Sequence, residues 1–494
     1  MCELQVNQKI LNMKNRFVLF TLGVFLSVLG YSQNEIDALR YSQRQYGGTA
    51  RFSSMAGAFG ALGGDFSALS INPASIGIYR RSEFTVTPSF FGKITSSLYD
   101  GNRLDDSKYN VNFNNVGAVL SYYNADSKSA WKGGMFGFGY NRLNNFHNRI
   151  SMSGKNYSSS LLDIYRSDAI GSGLDTSSMD AFGTQLALNT NAVWIDSLGN
   201  VYHHLQGSYG EEQAKYVTTS GSIGETIFTF GGNYNDKLFL GATLGIPNIR
   251  YYEEASYSEK ADSNALNGFK SFELNQVNNT TGTGFNFKFG MIYKPTDWVR
   301  IGGAIHSPTY FTMNDQWNSS MKTKFANSAY NGTANSPDGN YDYSLTTPLR
   351  AMGSLGFVIN KIGLIGLDYE FVDYPSASLR SKKYKYLSEN NAIRVKYVEG
   401  SNIRVGTEWR LQNISLRGGL AYYSNPFKSN TGNNGERMDY AAGIGFRDQN
   451  FFLDFAYVYS QNKDSYYFYD ASIAMPSVNT SKSSSILVTL GIKL

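Results

Sequence analysis

In the second half of this sequence, charged residues recur at positions that alternate with apolar ones. Asp368 and Glu370 fall between Leu367, Tyr369 and Phe371, and Arg404, Glu408 and Arg410 fall between Ile403, Val405, Thr407 and Trp409. Asp454 lies in the run Phe451, Leu453, Phe455, Tyr457, and Arg350 and Arg417 open similar runs. Period-two spacing in an extended chain puts the apolar residues on one face and the charges on the other. Enclosed charges of both signs would pair, because a lone one is costly. The cations Arg404, Arg410 and Arg417 would equally suit a substrate carboxylate. Either use is binding electrostatics, and no catalytic constellation accompanies it. Nothing like GxSxG stands on a strand-to-helix turn, and HExxH is absent. His203-His204 is the one histidine pair, and neighbours in extended chain point apart, so the two do not share a metal. The sequence predicts no cofactor, no metal and no enzyme.

To line up such charges the chain needs long strands, and the alternation predicts fourteen: 83–99, 110–123, 132–152, 217–234, 238–257, 271–294, 298–320, 342–360, 362–380, 401–411, 414–424, 437–447, 451–463 and 482–494. The final strand sets Ile486, Val488, Leu490, Ile492 and Leu494 against Ser485, Thr489, Gly491 and Lys493. Alternation alone also fits a soluble sandwich. The connections separate the two. Tight turns rich in Asn, Asp and Pro (Asn235-Asp236-Lys237, Pro295-Thr296-Asp297, Gln412-Asn413, Asp448-Gln449-Asn450) alternate with long polar segments near 100–109, 153–216, 258–270, 321–341, 381–400, 425–436 and 464–481. Outer-membrane barrels have this asymmetry, with short periplasmic turns and long extracellular loops. The expected fold is an all-β, 14-stranded antiparallel transmembrane β-barrel, residues 83–494.

Ahead of the strands, residues 33–82 differ in character. Arg51 to Tyr79 is small, apolar and glycine-rich, with Met55, Phe59, Leu62, Phe66 and Leu69 set among Gly57, Gly60, Gly63 and Gly64. Glycine allows close backbone approach, so a coiled segment packed inside the barrel is expected, with those five side chains supplying part of an apolar lining. Asn72-Pro73-Ala74 marks a sharp turn. In the third strand, Gly133, Gly134, Gly137 and Gly139 mark either a bend or small lumen-facing positions beside that segment.

Tyrosine (36), phenylalanine (32) and glycine (50) are abundant and proline (10) is scarce, a β-rich profile. The net charge of +5 is spread without a basic run, so nucleic acid is not indicated. Lys14 and Arg16 precede an apolar run from Phe17 to Leu29, predicting a secretory signal that ends near Ser32, with Met1 to Asn12 an upstream extension. That run is shorter than the roughly 20 residues of a spanning helix. The single cysteine, Cys2, precedes the signal, so a disulfide framework and a cysteine metal site are excluded.

The segments NPASIGIYRRSEFTVTP, YKPTDWVRIGGAIHSPT, TTPLRAMGSLGF, GLDYEFVDY, IRVGTEWR and LRGGLAYYSNPF, in this order, resemble the FadL-type long-chain fatty-acid and toluene transporters of Gram-negative outer membranes. The resemblance spans essentially the whole mature chain. It implies a barrel plugged by an N-terminal hatch, with Asn72, Pro73 and Ala74 as the hatch signature, and a kink in the third strand that opens a lateral gate to lipid. Two departures stand out: the chain ends in Leu494 where an aromatic is usual, and the 153–216 connection is long. The expected function is passive, diffusion-driven uptake of hydrophobic compounds, fatty acids or aromatic hydrocarbons, past the hatch. The partners are that cargo and outer-membrane lipid, the protein being a monomer. The alternative is a surface receptor or adhesin, including a haem-binding one, that uses its long loops.

Overall fold

The computed structural model describes residues 34–262, 265–360, 362–471 and 473–494. The expected signal, the upstream extension and Cys2 lie outside the described residues. Among these residues no helix is long and apolar enough to cross a membrane, which leaves the strands.

Fourteen antiparallel strands close on themselves as expected. They are β1 (Glu83–Tyr99), β2 (Asn102–Tyr123), β3 (Trp131–Asn145, resuming as Asn148–Asn156), β4 (Glu211–Tyr234), β5 (Leu238–Lys260), β6 (Phe269–Tyr293), β7 (Val299–His306 and Tyr310–Phe325), β8 (Gly339–Thr346 and Arg350–Ile359), β9 (Gly363–Val372 and Ser378–Arg380), β10 (Gly400–Leu411), β11 (Ile414–Tyr423), β12 (Arg437–Arg447), β13 (Phe451–Tyr467) and β14 (Pro476–Lys493). Closure is made by β1 on β14, from Glu83↔Lys493 to Leu98↔Val478. Closing the sheet removes the edges, so every backbone group in lipid can be paired. The expected alternation holds: Phe455, Tyr457, Ile486, Leu490 and Ile492 are exposed on the outer face, while Asp454, Ala456, Leu487 and Thr489 are buried.

Two expectations are corrected. The segment near 100–109 is not a long loop: Asp100 and Gly101 both have positive φ (47° and 74°) and make a two-residue turn straight into β2. Asp-Gly is the usual sequence for that hairpin turn. The residues after it are polar on both faces, which disguised them as a loop. The third, seventh, eighth and ninth strands are also broken where continuous strands were expected. In the last three the breaks contain Pro308, Pro348 and Pro375, each lacking the N–H a ladder requires. Because the three strands are neighbours, the breaks form one crease across the wall. Gly363–Val372 runs ten residues from turn to crease, the length of one tilted membrane crossing. Strands β2 to β8 continue past that level, and on β2 the exposed apolar face reaches Phe113, Val111 and Tyr109.

Residues 157–210 fold over the outer mouth. Helix α3 (Leu161–Gly171), capped by Ser160 and Asp163, buries Leu161, Leu162, Ile164, Tyr165 and Ala169. These side chains join Tyr99, Met152, Val217, Tyr257, Phe272 and Phe468 in one apolar cluster. The His203-His204 pair belongs to this cap: His203 Nε2 lies 2.9 Å from Asp163 Oδ1, and His204 Nε2 lies 2.8 Å from Asn191 O. Burial pushes the Asp163 carboxyl up, but hydrogen bonds from His203, the Ser160 N–H and Tyr209 outweigh it and hold the group below its usual value.

Candidate functional site

Residues 34–82 sit inside the lumen as two short helices, α1 (Glu35–Ser42) and α2 (Ala50–Ser54), followed by two 3-10 turns, Phe66–Ser70 and Pro73–Ile78. Each has a side-chain cap: Asn34, Thr49, Asp65 and Asn72. Such capping lets a segment with little regular structure satisfy its own N–H groups. Asp65 also accepts from the Thr49 hydroxyl, which lies 2.9 and 2.8 Å from its two oxygens, tying one turn to the start of α2.

Asn72, Pro73 and Ala74 form the turn that their sequence predicts. Asn72 Oδ1 accepts from Ala74 N (3.0 Å), and Asn72 Nδ2 donates to Gly60 O (2.6 Å) and to Met291 O of β6 (3.1 Å). One side chain thus joins two turns of the segment to the wall.

Met55, Phe59, Leu62, Phe66 and Leu69 do not line an open passage. All five are 2% exposed or less and make the segment's own cores, the first three with Phe52, Ile71 and Met352, the last two with Ile76, Val119, Met135 and Ile227. A strongly apolar set in a short enclosed segment is consumed by packing before it can line anything.

The wall meets this segment through glycine. A Cβ placed on Gly241, Gly302, Gly366, Gly406 or Gly419 would come within 3.0 Å of backbone atoms of Pro73, Gly60, Ala58, Met55 and Met55 with Ala56, respectively. These glycines lie on five strands and face inward, so the segment rests on a belt without side chains. Gly137 and Gly139 belong to the same contact, against Leu69 with Ile76 and against Phe66. Both lie in an unbroken ladder between β2 and β4, as does Gly134, while Gly133 borders a bulge.

The charges predicted to face inward are brought together in two clusters, each completed by the luminal segment. In the first, Arg350 Nη1 lies 2.9 Å from Glu370 Oε1, and Arg404 bonds Glu370 Oε2. Tyr46 OH reaches Glu370 (3.3 Å) with its ring facing Arg404 (5.2 Å), and Arg350 also donates to Ser42 O. Beside it, the Asp368 carboxylate accepts from Gly60 N (3.0 and 3.2 Å). In the second, Glu408 accepts from Arg51 (2.7 Å), Arg410 (2.8 Å) and Arg417 (2.7 Å), and Arg417 continues to Asp454 (2.7 Å). The charged side chains are buried except that of Arg410, which is 40% exposed, and Tyr46 is half-buried. Three members were not foreseen: Arg51, Tyr46 and Arg447, which lies 3.7 Å from Asp454. Arg51 carried a signal, as a lone cation beside the apolar glycine-rich stretch.

Between luminal segment and cap lies a cavity of about 1020 Å³. Its walls include Phe91, Ile150, Leu161, Ile164, Tyr257 and Phe468 along with Lys93 and Lys215. One side borders a break in the barrel. β2 pairs with β3 only over Asn115–Tyr123, and beyond Asn148 the third strand pairs only with β4. Side chains alone bridge this seam: Ser151 Oγ donates to Asp106 Oδ2 (2.5 Å), Asn102 Nδ2 to Ser153 O (3.1 Å), and Arg149 lies 3.8 Å from Asp106. A bulge between Arg142 and Asn144 turns the strand away just before the seam, eight residues and more past Gly134. Among the described residues no cluster of three or more His, Cys, Asp or Glu could hold a metal.

A closed, capped barrel with an apolar belt outside and a filled lumen defines an outer-membrane channel. The model of the outer membrane protein transport protein family (OMPP1/FadL/TodX) matches residues 213–491, and the chain belongs to that family of transport channels of the Gram-negative outer membrane. Among solved structures it is similar to a Pseudomonas aeruginosa FadL homologue (14% identity, 91% of this chain and 98% of that one, TM-score 0.54). It is also similar to the Pseudomonas putida toluene transporter TodX (12% identity, 91% and 99%, TM-score 0.54). No curated protein sequence matches.

Proposed function

We propose that this protein takes up hydrophobic compounds by diffusion, from the outer surface into the 1020 Å³ cavity and out sideways through the seam between β2 and β3 into the membrane. The seam carries the proposal: it is a stretch of barrel wall without a backbone ladder, and it borders a cavity whose mixed lining includes the apolar Phe91, Ile150, Leu161, Ile164 and Phe468. Burial from water drives the cargo into the cavity, and lipid receives it on the other side. Long-chain fatty acids and aromatic hydrocarbons are the proposed cargo classes, and the relative TodX is a toluene transporter. The luminal segment acts as a fixed hatch that blocks the axial route, because its charges and backbone are engaged around the whole belt.

A cysteine pair at Asp106 and Ser151 tests this, since Cys2 is the sole native cysteine. Oxidation should reduce uptake of a labelled fatty acid or toluene at least ~10-fold and reduction should restore it, a change of about 1.4 kcal/mol in effective barrier. Equal uptake by the oxidised and reduced forms would rule out the lateral route.

A further inference from the structure

On the lipid side of the barrel, close to the periplasmic turn 124–130, the wall is hollowed. Two adjoining hollows of about 660 and 520 Å³ share Tyr122, Gly134, Phe230 and Gly231. Glycine occurs on both faces of the sheet here: Gly133, Gly231 and Gly241 toward the lumen, Gly134 toward lipid, with the small Ala242 beside it. The wall is therefore scarcely more than backbone thick, and Met135, a lumen-facing residue, contributes to the hollow. Large aromatics stand around the depression: Tyr122 (77% exposed), Trp131, Phe230 and Phe289.

The hollow is not a passage. Tyr122↔Gly134, Gly134↔Gly232 and Gly231↔Gly241 are consecutive ladder pairs, so the wall is hydrogen-bonded across it. Behind it the luminal segment is seated, with Ile76 against Gly231 and Pro73 against Gly241. Whatever fills the hollow arrives from the membrane, and the hollow is continuous with the lipid-facing surface. At its periplasmic end Lys132 lines the wall; its ammonium donates to Ser127 O (2.5 Å) and Ala125 O (3.4 Å) and has one further proton to offer. Lys128 and Lys237 are exposed in the adjacent turns. Asp126 shares the first turn, and Asp236 is taken by Arg80 (2.9 Å), so cations prevail at this rim.

We propose that this hollow is a binding site for one anionic phospholipid of the periplasmic leaflet, an acyl chain lying over Gly134 and the phosphate meeting Lys132. The aromatic border clasps the chain, and the basic rim selects the headgroup, as basic pockets at membrane surfaces do. This site is independent of the cargo route.

Gly134 allows a clean test, because a side chain added there meets nothing within 4 Å and points into the hollow. The purified barrel would be equilibrated with mixed micelles of phosphatidylglycerol and phosphatidylethanolamine, and retained lipid counted by native mass spectrometry. Wild type should keep one phosphatidylglycerol per chain, Gly134→Leu at least ~5-fold less, and Lys132→Gln should retain lipid with the preference for phosphatidylglycerol lost. Wild-type retention by Gly134→Leu, equal retention of the two lipids by wild type, or a dimer that Gly134→Leu abolishes would each overturn the proposal. Heat-modifiable mobility on electrophoresis confirms that each variant is a folded barrel.

Discussion

Arg51 and Glu408 meet across the boundary between the luminal segment and the barrel wall, Arg51 Nε 2.7 Å from Glu408 Oε2, with both side chains almost wholly buried. The residues are 357 positions apart, and no local rule connects them. Glu408 also receives Arg410 and Arg417, so the carboxylate anchors a cation from the plug and two from the wall.

Arg51→Ala removes the plug's share of this cluster. Breaking a buried pair costs roughly 3–5 kcal/mol because the remaining charge is left uncompensated. Arg410 and Arg417 still neutralise Glu408, so the lower end of that range is expected. Limited trypsin digestion should then cut within residues 34–82 while the barrel stays intact. Wild-type resistance to the protease would show that the ion pair does not hold the plug.

Gly366→Val places a side chain against Ala58 O, and Gly406→Ala places one against Met55 O. Overpacking costs about 1–3 kcal/mol, and the plug, being less tied than the barrel, is the part that yields. Both variants should admit a small hydrophilic dye into liposomes faster than wild type, while Gly303→Ala, where the nearest atom is 3.9 Å away, should not. Equal rates for all three would refute the belt as a seal.

Asn72→Ala leaves Gly60 O and Met291 O without their donor and uncaps Ala74 N. An unsatisfied buried acceptor costs about 1–3 kcal/mol. Asn72→Asp should be no better, since it retains the cap but cannot donate. Hydrogen exchange over residues 60–78 is the measurement: both variants should exchange faster there, and protection like that of wild type in Asn72→Asp would sink the donor role.

Under the cap, beyond the membrane band, Glu211 and Glu259 are buried with no cation within ion-pair distance among the described residues, and Gln213 Nε2 lies 3.2 and 3.1 Å from their carboxyls. Burial pushes Glu211 up to about 7; burial and then the Glu211 charge push Glu259 up to about 8. Groups whose pKa is raised in the folded state stabilise it fully below their unfolded value, and that contribution is lost as pH rises through the folded value. The cap should therefore loosen between about pH 4.5 and 8. Exchange in 157–210 should rise over that window and stay flat in Glu211→Gln/Glu259→Gln. A pH-independent wild type would remove the proton from the account.

The strands were legible because lipid outside and a filled lumen inside impose one repeating rule, and residues such as Asp368 and Phe455 obey it. The luminal charges were legible for the same reason, since a charge at an inward position needs an enclosed partner. Their partners were not legible, because Arg51 and Tyr46 reach the clusters through a coil whose path has no period. The five apolar residues of that coil were identified but misplaced: Phe59 and Leu69 read as lining and are core, because a side chain's type does not say on which side of a coil it falls. The glycines of the third strand left open a bend or small lumen-facing positions; Gly137 and Gly139 take the second place, and the ladder lapses instead at 145–148, where the sequence offers only Asn, Phe and His.

By itself, then, the sequence determined the number and inner face of the strands, the alternation of short turns with longer loops everywhere but at 100–109, and the charged character of the lumen, since each follows from a local period or turn residue. Only the tertiary structure decided which glycines carry the plug, which cation meets Glu408 and where the ladder fails. Those depend on contacts hundreds of residues apart, fixed by barrel closure and the shape of the segment inside it, including the meeting of Arg51 and Glu408.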